Sequence, residues 1–108
     1  MSEQMTQEQL EAVMGLIINA GNAKSDAMEA IQAAKKGDFQ AAEEKLKTAE
    51  QGLVEAHHAQ TGLLTAEASG NPMNVTLLAV HSQDHLMTAI TFNDLAKEVV
   101  EVYQRLAE

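Results

Sequence analysis

The chain has 108 residues, a length for one domain rather than two, and no cysteine, which excludes a disulfide scaffold, a thiolate metal site and a cysteine nucleophile of its own. Seven basic against sixteen acidic residues leave a net charge of −9, the wrong sign for nucleic acid or an anionic membrane surface. Only 3% of residues are aromatic and strong helix formers dominate, so an all-α fold is expected, with a core modest enough that self-association would add buried area.

The first helix is expected to start at Thr6, where Thr6-x-x-Gln9 forms a capping-box pattern. Leu10, Val13, Met14, Ile17, Ile18, Met28 and Ile31 then recur at three- and four-residue spacing. Lys35-Lys36-Gly37 closes that helix near residue 36, with cations at the last carbonyls and a glycine able to turn left-handed. Asp38 is placed to cap the second helix, over 38–69. Its seam runs Phe39, Ala42, Leu46, Ala49, Leu53, Ala56, Gln60, Leu63, a coiled-coil-like pattern in which Gln60 is the one strongly polar member. Ser69-Gly70-Asn71-Pro72 is the only obvious loop, and a third helix follows over 74–106, capped by Asn71 or Asn74. Short connections make neighbours antiparallel, an up-down-up three-helix bundle in a single 1–108 domain. Helices of about 40–50 Å at 1.5 Å per residue leave a stripe unburied on each copy, for which a symmetric assembly is the natural remedy. The opening Met1-Ser2-Glu3-Gln4 segment lacks the regions of a secretory leader, and the aliphatic run Leu77-Leu78-Ala79-Val80 is far short of the ~20 residues of a membrane span. A cytoplasmic chain without membrane insertion is expected.

Chemistry is best sought where the third helix breaks its pattern. At ~100° per residue, Leu77, Phe92, Leu95, Val99, Val102 and Leu106 fall in one sector, and His81, Asp84, His85 and Thr88 fall in the same one. A carboxylate inside an apolar stripe is costly unless paired, metal-bound or protonated. Three readings remain open: a wet, ordinary stretch of surface; a metal site, since His81 and His85 stand at i, i+4 beside Asp84; or a histidine that reacts, because imidazole titrates near neutrality and can take up and release a phosphoryl group. A di-metal bundle needs Glu-x-x-His on each of two helices, and the third helix carries none to complete the second.

Val80-His81-Ser82-Gln83-Asp84-His85-Leu86-Met87-Thr88 resembles the active-site segment of the lactose/cellobiose-type enzyme IIA family of the bacterial sugar phosphotransferase system. Met14 to Ser25 resembles that family's first helix, Lys36-Gly37-Asp38-Phe39 its first turn, and Ala56-His57-His58-Ala59-Gln60-Thr61-Gly62-Leu63-Leu64 its second helix, so the similarity covers essentially the whole chain. The resemblance implies a homotrimer with nine helices in one bundle. It implies that His81 accepts a phosphoryl group from the phosphocarrier HPr and passes it to a cysteine of the cognate enzyme IIB, supporting uptake of a β-linked disaccharide, cellobiose- or chitobiose-like, or lactose. It also implies that Asp84 of each copy meets on the threefold axis, where Mg²⁺ or another divalent cation binds as a structural ion; carboxylates so gathered repel unless cations or protons intervene, and a hard oxygen-ligated dication suits them.

Within that reading His85, one turn along from His81, is expected to donate to the phosphoryl oxygens. Gln83 lies roughly 160° around the helix from His81, so it is expected to serve the site of a neighbouring protomer. Leu16 and Ile17 are candidates for an apolar rim, His57 for a hydrogen-bonded interior histidine, and Gly15 and Gly21 for close helix packing or for room beside the phosphoryl group. Two other classes compete: a non-enzymatic metal-binding bundle using His81, Asp84 and His85, and a response-relay phosphotransfer domain, whose usual lysine and glycine just after the histidine are missing.

Overall fold

In a computed structural model describing residues 5–108, three helices follow one another: α1 (Gln7–Lys35), α2 (Phe39–Ala68) and α3 (Leu77–Ala107). Met1 to Gln4, where the absence of a leader is read, lie outside the described residues. The capping signals act where the sequence puts them. Thr6 Oγ1 accepts from the Gln9 backbone N–H at 3.1 Å while Gln9 Oε1 accepts from the Thr6 N–H at 3.1 Å. Asp38 works twice: its N–H closes α1 on the Ala33 carbonyl at 2.9 Å, and its carboxylate takes the Ala41 N–H at 3.1 Å to open α2. Gly37 and Gly70, at φ of 85° and 94°, are the left-handed residues among those described, and they let these helix ends turn.

α3 begins later than expected. Asn71 is used by the end of α2, its N–H bonding the Ala66 carbonyl at 2.9 Å, and the cap is neither Asn71 nor Asn74 but Thr76, whose Oγ1 accepts from the Ala79 N–H at 3.1 Å.

The bundle is long and thin, 61 × 20 × 16 Å. α1 lies against both other helices, and α2 and α3 touch each other least. Across α1 and α2, Lys45 pairs with Glu29 at 2.6 Å, a hydrogen bond that raises the Lys45 pKa; across α2 and α3, Lys97 pairs with Glu50 at 2.9 Å.

The core is made of small residues. Eleven of the sixteen buried apolar residues described are alanines, among them Ala20, Ala23, Ala27 and Ala30 of α1, with Val13, Leu16, Leu53, Leu86 and Val100 supplying the bulk. Small side chains let helix axes come close; at Gly52 an added Cβ would stand 3.4 Å from the Asn19 carbonyl oxygen. The α2 seam expected from the sequence is the one that turns inward. On α1 and α3 the expected faces split: Val13 is buried and Ile31 and Phe92 pack on the core, whereas Met14, Ile18 and Met28 stand outside, and so do Leu77, Leu95, Val102 and Leu106, 56–86% exposed along α3. Alanines fill the interior, and the large aliphatic residues form a second stripe facing away from it. Among the described residues no helix is long and apolar enough to cross a membrane.

Candidate functional site

His81 and Asp84 interrupt that outward stripe of α3. Taking Asp84 as zero at ~100° per residue, Leu77, Thr88, Leu95 and Val102 lie within about 40° of it. His81 and His85 lie on one flank, at about +60° and +100°, and Val80, Met87 and Gln83 on the other, at about −40°, −60° and −100°. The buried side of α3, carried by Ser82, Leu86, Ala89, Asn93, Ala96 and Val100, is opposite. The stripe predicted to hold both the apolar residues and the polar belt therefore exists, and it faces outward. That placement removes the desolvation cost which made the belt look anomalous.

The side chains of His81 and Asp84 are 53% and 63% exposed, with His81 Nδ1 3.5 Å from Asp84 Oδ1. His85 packs its ring edge-on to His81, centroids 4.6 Å apart and planes at 63°. It is half-buried, and its Nδ1 is enclosed with no hydrogen-bond partner. An enclosed N–H without an acceptor is costlier to leave unmet than a lone pair. The proton of neutral His85 therefore belongs on Nε2, where it is available as a donor. Thr88 spends its hydroxyl on its own helix, donating to the Asp84 carbonyl at 2.8 Å. Among the described residues no three histidines, aspartates or glutamates gather around a common point. Within one copy Asp84 brings a single carboxylate beside the two histidines, His81 and His85.

Gln83 has a partner in its own chain. Its Oε1 accepts from Gln60 Nε2 of α2 at 2.7 Å, and its Nε2 reaches Ser82 Oγ at 3.4 Å. Ser82, wholly buried, donates to the Ala79 carbonyl at 2.6 Å. This chain of bonds ties the turn carrying His81 to α2. The lone polar member of the α2 seam was the signal for Gln60; nothing in the sequence pointed to Ser82.

Other expectations are corrected by burial. Leu16 is fully buried and belongs to the core rather than to a rim, while Ile17 is half-buried. His57 is exposed, as is His58, because the seam of α2 passes to Ala56 and Gln60 on either side of it. Gly15 and Gly21 have nothing within 4 Å of where a Cβ would stand, so close packing within the chain does not account for either. Between α1 and α3, Met28, Met87, Phe92 and Leu95 line an apolar groove of about 780 Å³ with Lys24 on its margin.

Comparison with known proteins gives this arrangement a family. Residues 11–104 match the family described as PTS system, lactose/cellobiose specific IIA subunit. The chain is 46% identical over 104 residues to the lichenan-specific phosphotransferase enzyme IIA component of Bacillus subtilis, covering 96% of this chain and 94% of that one. It is similar to the crystal structure of the PTS cellobiose-specific enzyme IIA from Bacillus anthracis, with a TM-score of 0.91, 43% identity, and coverage of 96% and 94%. It also resembles the IIA(chitobiose) structure solved in complex with HPr from Escherichia coli, with a TM-score of 0.82, 42% identity, and coverage of 95% and 100%.

Proposed function

The chain belongs to the lactose/cellobiose-specific IIA family of the sugar phosphotransferase system, a phosphotransferase component, and from that membership we propose that His81 is its phosphoryl carrier. The observation that carries the assignment is an accessible imidazole on the outward stripe of α3 with its Nδ1 3.5 Å from the Asp84 carboxylate. The carboxylate favours the tautomer with its proton on Nδ1, which leaves the Nε2 lone pair free to attack. The donor is phospho-HPr, the partner seen with the chitobiose relative. Its N–P bond breaks as the bond to His81 Nε2 forms, and the electron pair returns to the HPr imidazole. In the second half-reaction a cysteine thiolate of enzyme IIB takes the phosphorus, the new N–P bond breaks, and His81 is regenerated. His85 Nε2–H donates to the phosphoryl oxygens, where charge-assisted bonds are strongest. Relatives named for cellobiose and N,N'-diacetylchitobiose, beside others named for lichenan, galactose and lactose, favour a β-linked disaccharide as the transported sugar, and the work is cytoplasmic.

The working unit is a trimer. An alanine core leaves each copy's bulky apolar residues outside, and a threefold axis along the α3 stripe covers them. Asp84 then faces the axis, and three carboxylates suit a hard, oxygen-ligated divalent ion such as Mg²⁺ as a structural tie. The Asp84 oxygen turned toward His81 remains for the tautomer. Around such an axis the +60° to +100° flank of one α3 meets the −40° to −100° flank of the next, so His81 of one copy is faced by Gln83 of its neighbour.

The test is reconstitution with phosphoenolpyruvate, enzyme I, HPr and the cognate enzyme IIB. Acid-labile phosphate on His81, chased to the enzyme IIB cysteine and absent in His81→Ala, is expected. Label on another residue, or undiminished flux through His81→Ala, overturns the assignment.

A further inference from the structure

We infer that Gln60 is a positioning residue that fixes which end of the Gln83 amide is presented to the phosphoryl group; this rests on the reading that Gln83 serves a phosphorylated His81. A glutamine can present either a carbonyl or an NH₂ group, and only the NH₂ is attractive to a phosphoryl group carrying nearly two negative charges. An amide left to itself takes either sense. Here the sense is dictated from both ends of one hydrogen-bonded chain. The Ala79 carbonyl can only accept, so Ser82 Oγ spends its single proton on it, at 2.6 Å. Ser82 can then only accept from Gln83, and the Gln83 nitrogen, 3.4 Å away, is the atom turned that way. At the other end Gln60 Nε2 donates to Gln83 Oε1 at 2.7 Å, the shortest link from α2 to this turn. The Gln83 carbonyl is thereby occupied on its own chain. One Nε2 hydrogen at most goes to Ser82, through a long bond, and the second remains as a donor.

The setting makes Gln60 the natural lock. α2 and α3 are the least engaged pair of helices, and the first turn of α3 is held mainly by Ala79 and Ser82, with Leu77, Val80 and His81 exposed around them. Gln60 and Gln83 are both half-buried, where a misaligned pair of amides would leave two polar groups facing like to like. The bond therefore both selects the amide orientation and fastens the His81 turn to α2.

The test exploits the isosteric change Gln60→Glu. A carboxylate at position 60 accepts from the Gln83 NH₂ and turns the amide over, presenting its carbonyl outward. The protonated acid can donate to Gln83 Oε1 as the glutamine did. Initial rates of phosphoryl transfer from phospho-HPr are measured between pH 5 and 7.5 for the wild type, Gln60→Glu, Gln60→Met, Gln83→Met and the double variant Gln60→Glu/Gln83→Met, with thermal melts to confirm folding. About a tenfold loss is expected for Gln60→Glu at pH 7.5, with the ratio to wild type rising as pH falls toward the glutamic-acid range. A smaller, pH-independent loss is expected for Gln60→Met, and no additional loss when Gln60→Glu is added to Gln83→Met. A Gln60→Glu chain at wild-type rate, or one slowed equally at every pH, overturns the orienting role even if Gln83→Met is slow. A Gln83→Met chain as fast as wild type overturns it by removing the group being oriented. Failure of the wild type to label on His81 is a different result, and brings down the reading on which the inference stands.

Discussion

Leu95→Glu separates the two apolar faces of α3. Leu95 is 58% exposed and lines the groove between α1 and α3 with Met28, Met87 and Phe92, on the side away from the alanine core. Complete burial of a leucine stabilises by about 1.5–3 kcal/mol, so covering the exposed part contributes about 1–2 kcal/mol per copy and about 3–5 kcal/mol per trimer. At about 1.4 kcal/mol per tenfold, losing that much weakens assembly by two to four orders of magnitude, and placing a carboxylate against the neighbour's apolar residues weakens it further. Within the protomer only the smaller, covered part of the side chain is lost, at the edge of the groove and away from the alanine core. Sedimentation equilibrium is therefore expected to move from about 35 kDa, three times the 11.6 kDa chain, to the single-chain mass, with helix content by circular dichroism retained. Leu86→Ala is the internal control: Leu86 is wholly buried, and its truncation costs the protomer about 2–5 kcal/mol of folding stability. A Leu95→Glu chain that keeps the wild-type mass refutes the assignment of this stripe to the assembly. One that unfolds as Leu86→Ala does refutes the separation of the faces.

Two further outcomes test the axis and the helix start. If a divalent ion ties three Asp84 carboxylates, EDTA lowers the melting temperature of the wild type in magnesium-containing buffer, whereas Asp84→Asn, whose neutral amides do not repel, melts alike with and without chelator; an EDTA-insensitive wild type would remove the ion from the account. Thr76→Ala deletes the hydroxyl that caps α3 and is expected to cost about 1 kcal/mol in urea unfolding; a transition unchanged from wild type would remove the cap from the account.

How much of this was legible depended on whether a signal was local. The capping box at Thr6, the Asp38 cap of α2, the glycine turn at 37 and the loop after 69 are short-range patterns, and each formed where the sequence placed it. The α2 seam was also readable, because α2 has one apolar face and no competing one. α1 and α3 each carry two, one of alanines and one of large aliphatic residues, and a hydrophobicity count weights the larger side chains. It therefore mixed core residues such as Val13 and Ile31 with large residues of the face that points outward. Within a single chain, close axial approach favours the alanine face, an effect of packing distance that periodicity does not encode. The same limit explains the site. The His81 flank and the i, i+3 partner Asp84 follow from helical spacing, but Gln60 meeting Gln83 joins residues 23 positions apart, and its polarity depends on a buried serine that looks unremarkable in the sequence.

The two faces of α3 also explain why a phosphoryl carrier is built this way. A phosphohistidine must take on and give up nearly two negative charges, which excludes it from the alanine core and requires access for two different partners. It must nonetheless be held still, and a lone surface histidine is not. If His81 carries the phosphoryl group as proposed, a place on a stripe that a second copy partly covers meets both demands. Its own chain holds Asp84 and His85 about a turn away, and the flank opposite carries Gln83, whose carbonyl accepts from Gln60 of α2. An outward stripe that were apolar throughout would bury more area on assembly, and it would have no room for the charge. In the proposed assembly the break in the stripe at His81 and Asp84 costs assembly energy only at the height of the proposed chemistry, and leaves exposed Leu95 and Val102 above it and Leu77 below to hold the copies together.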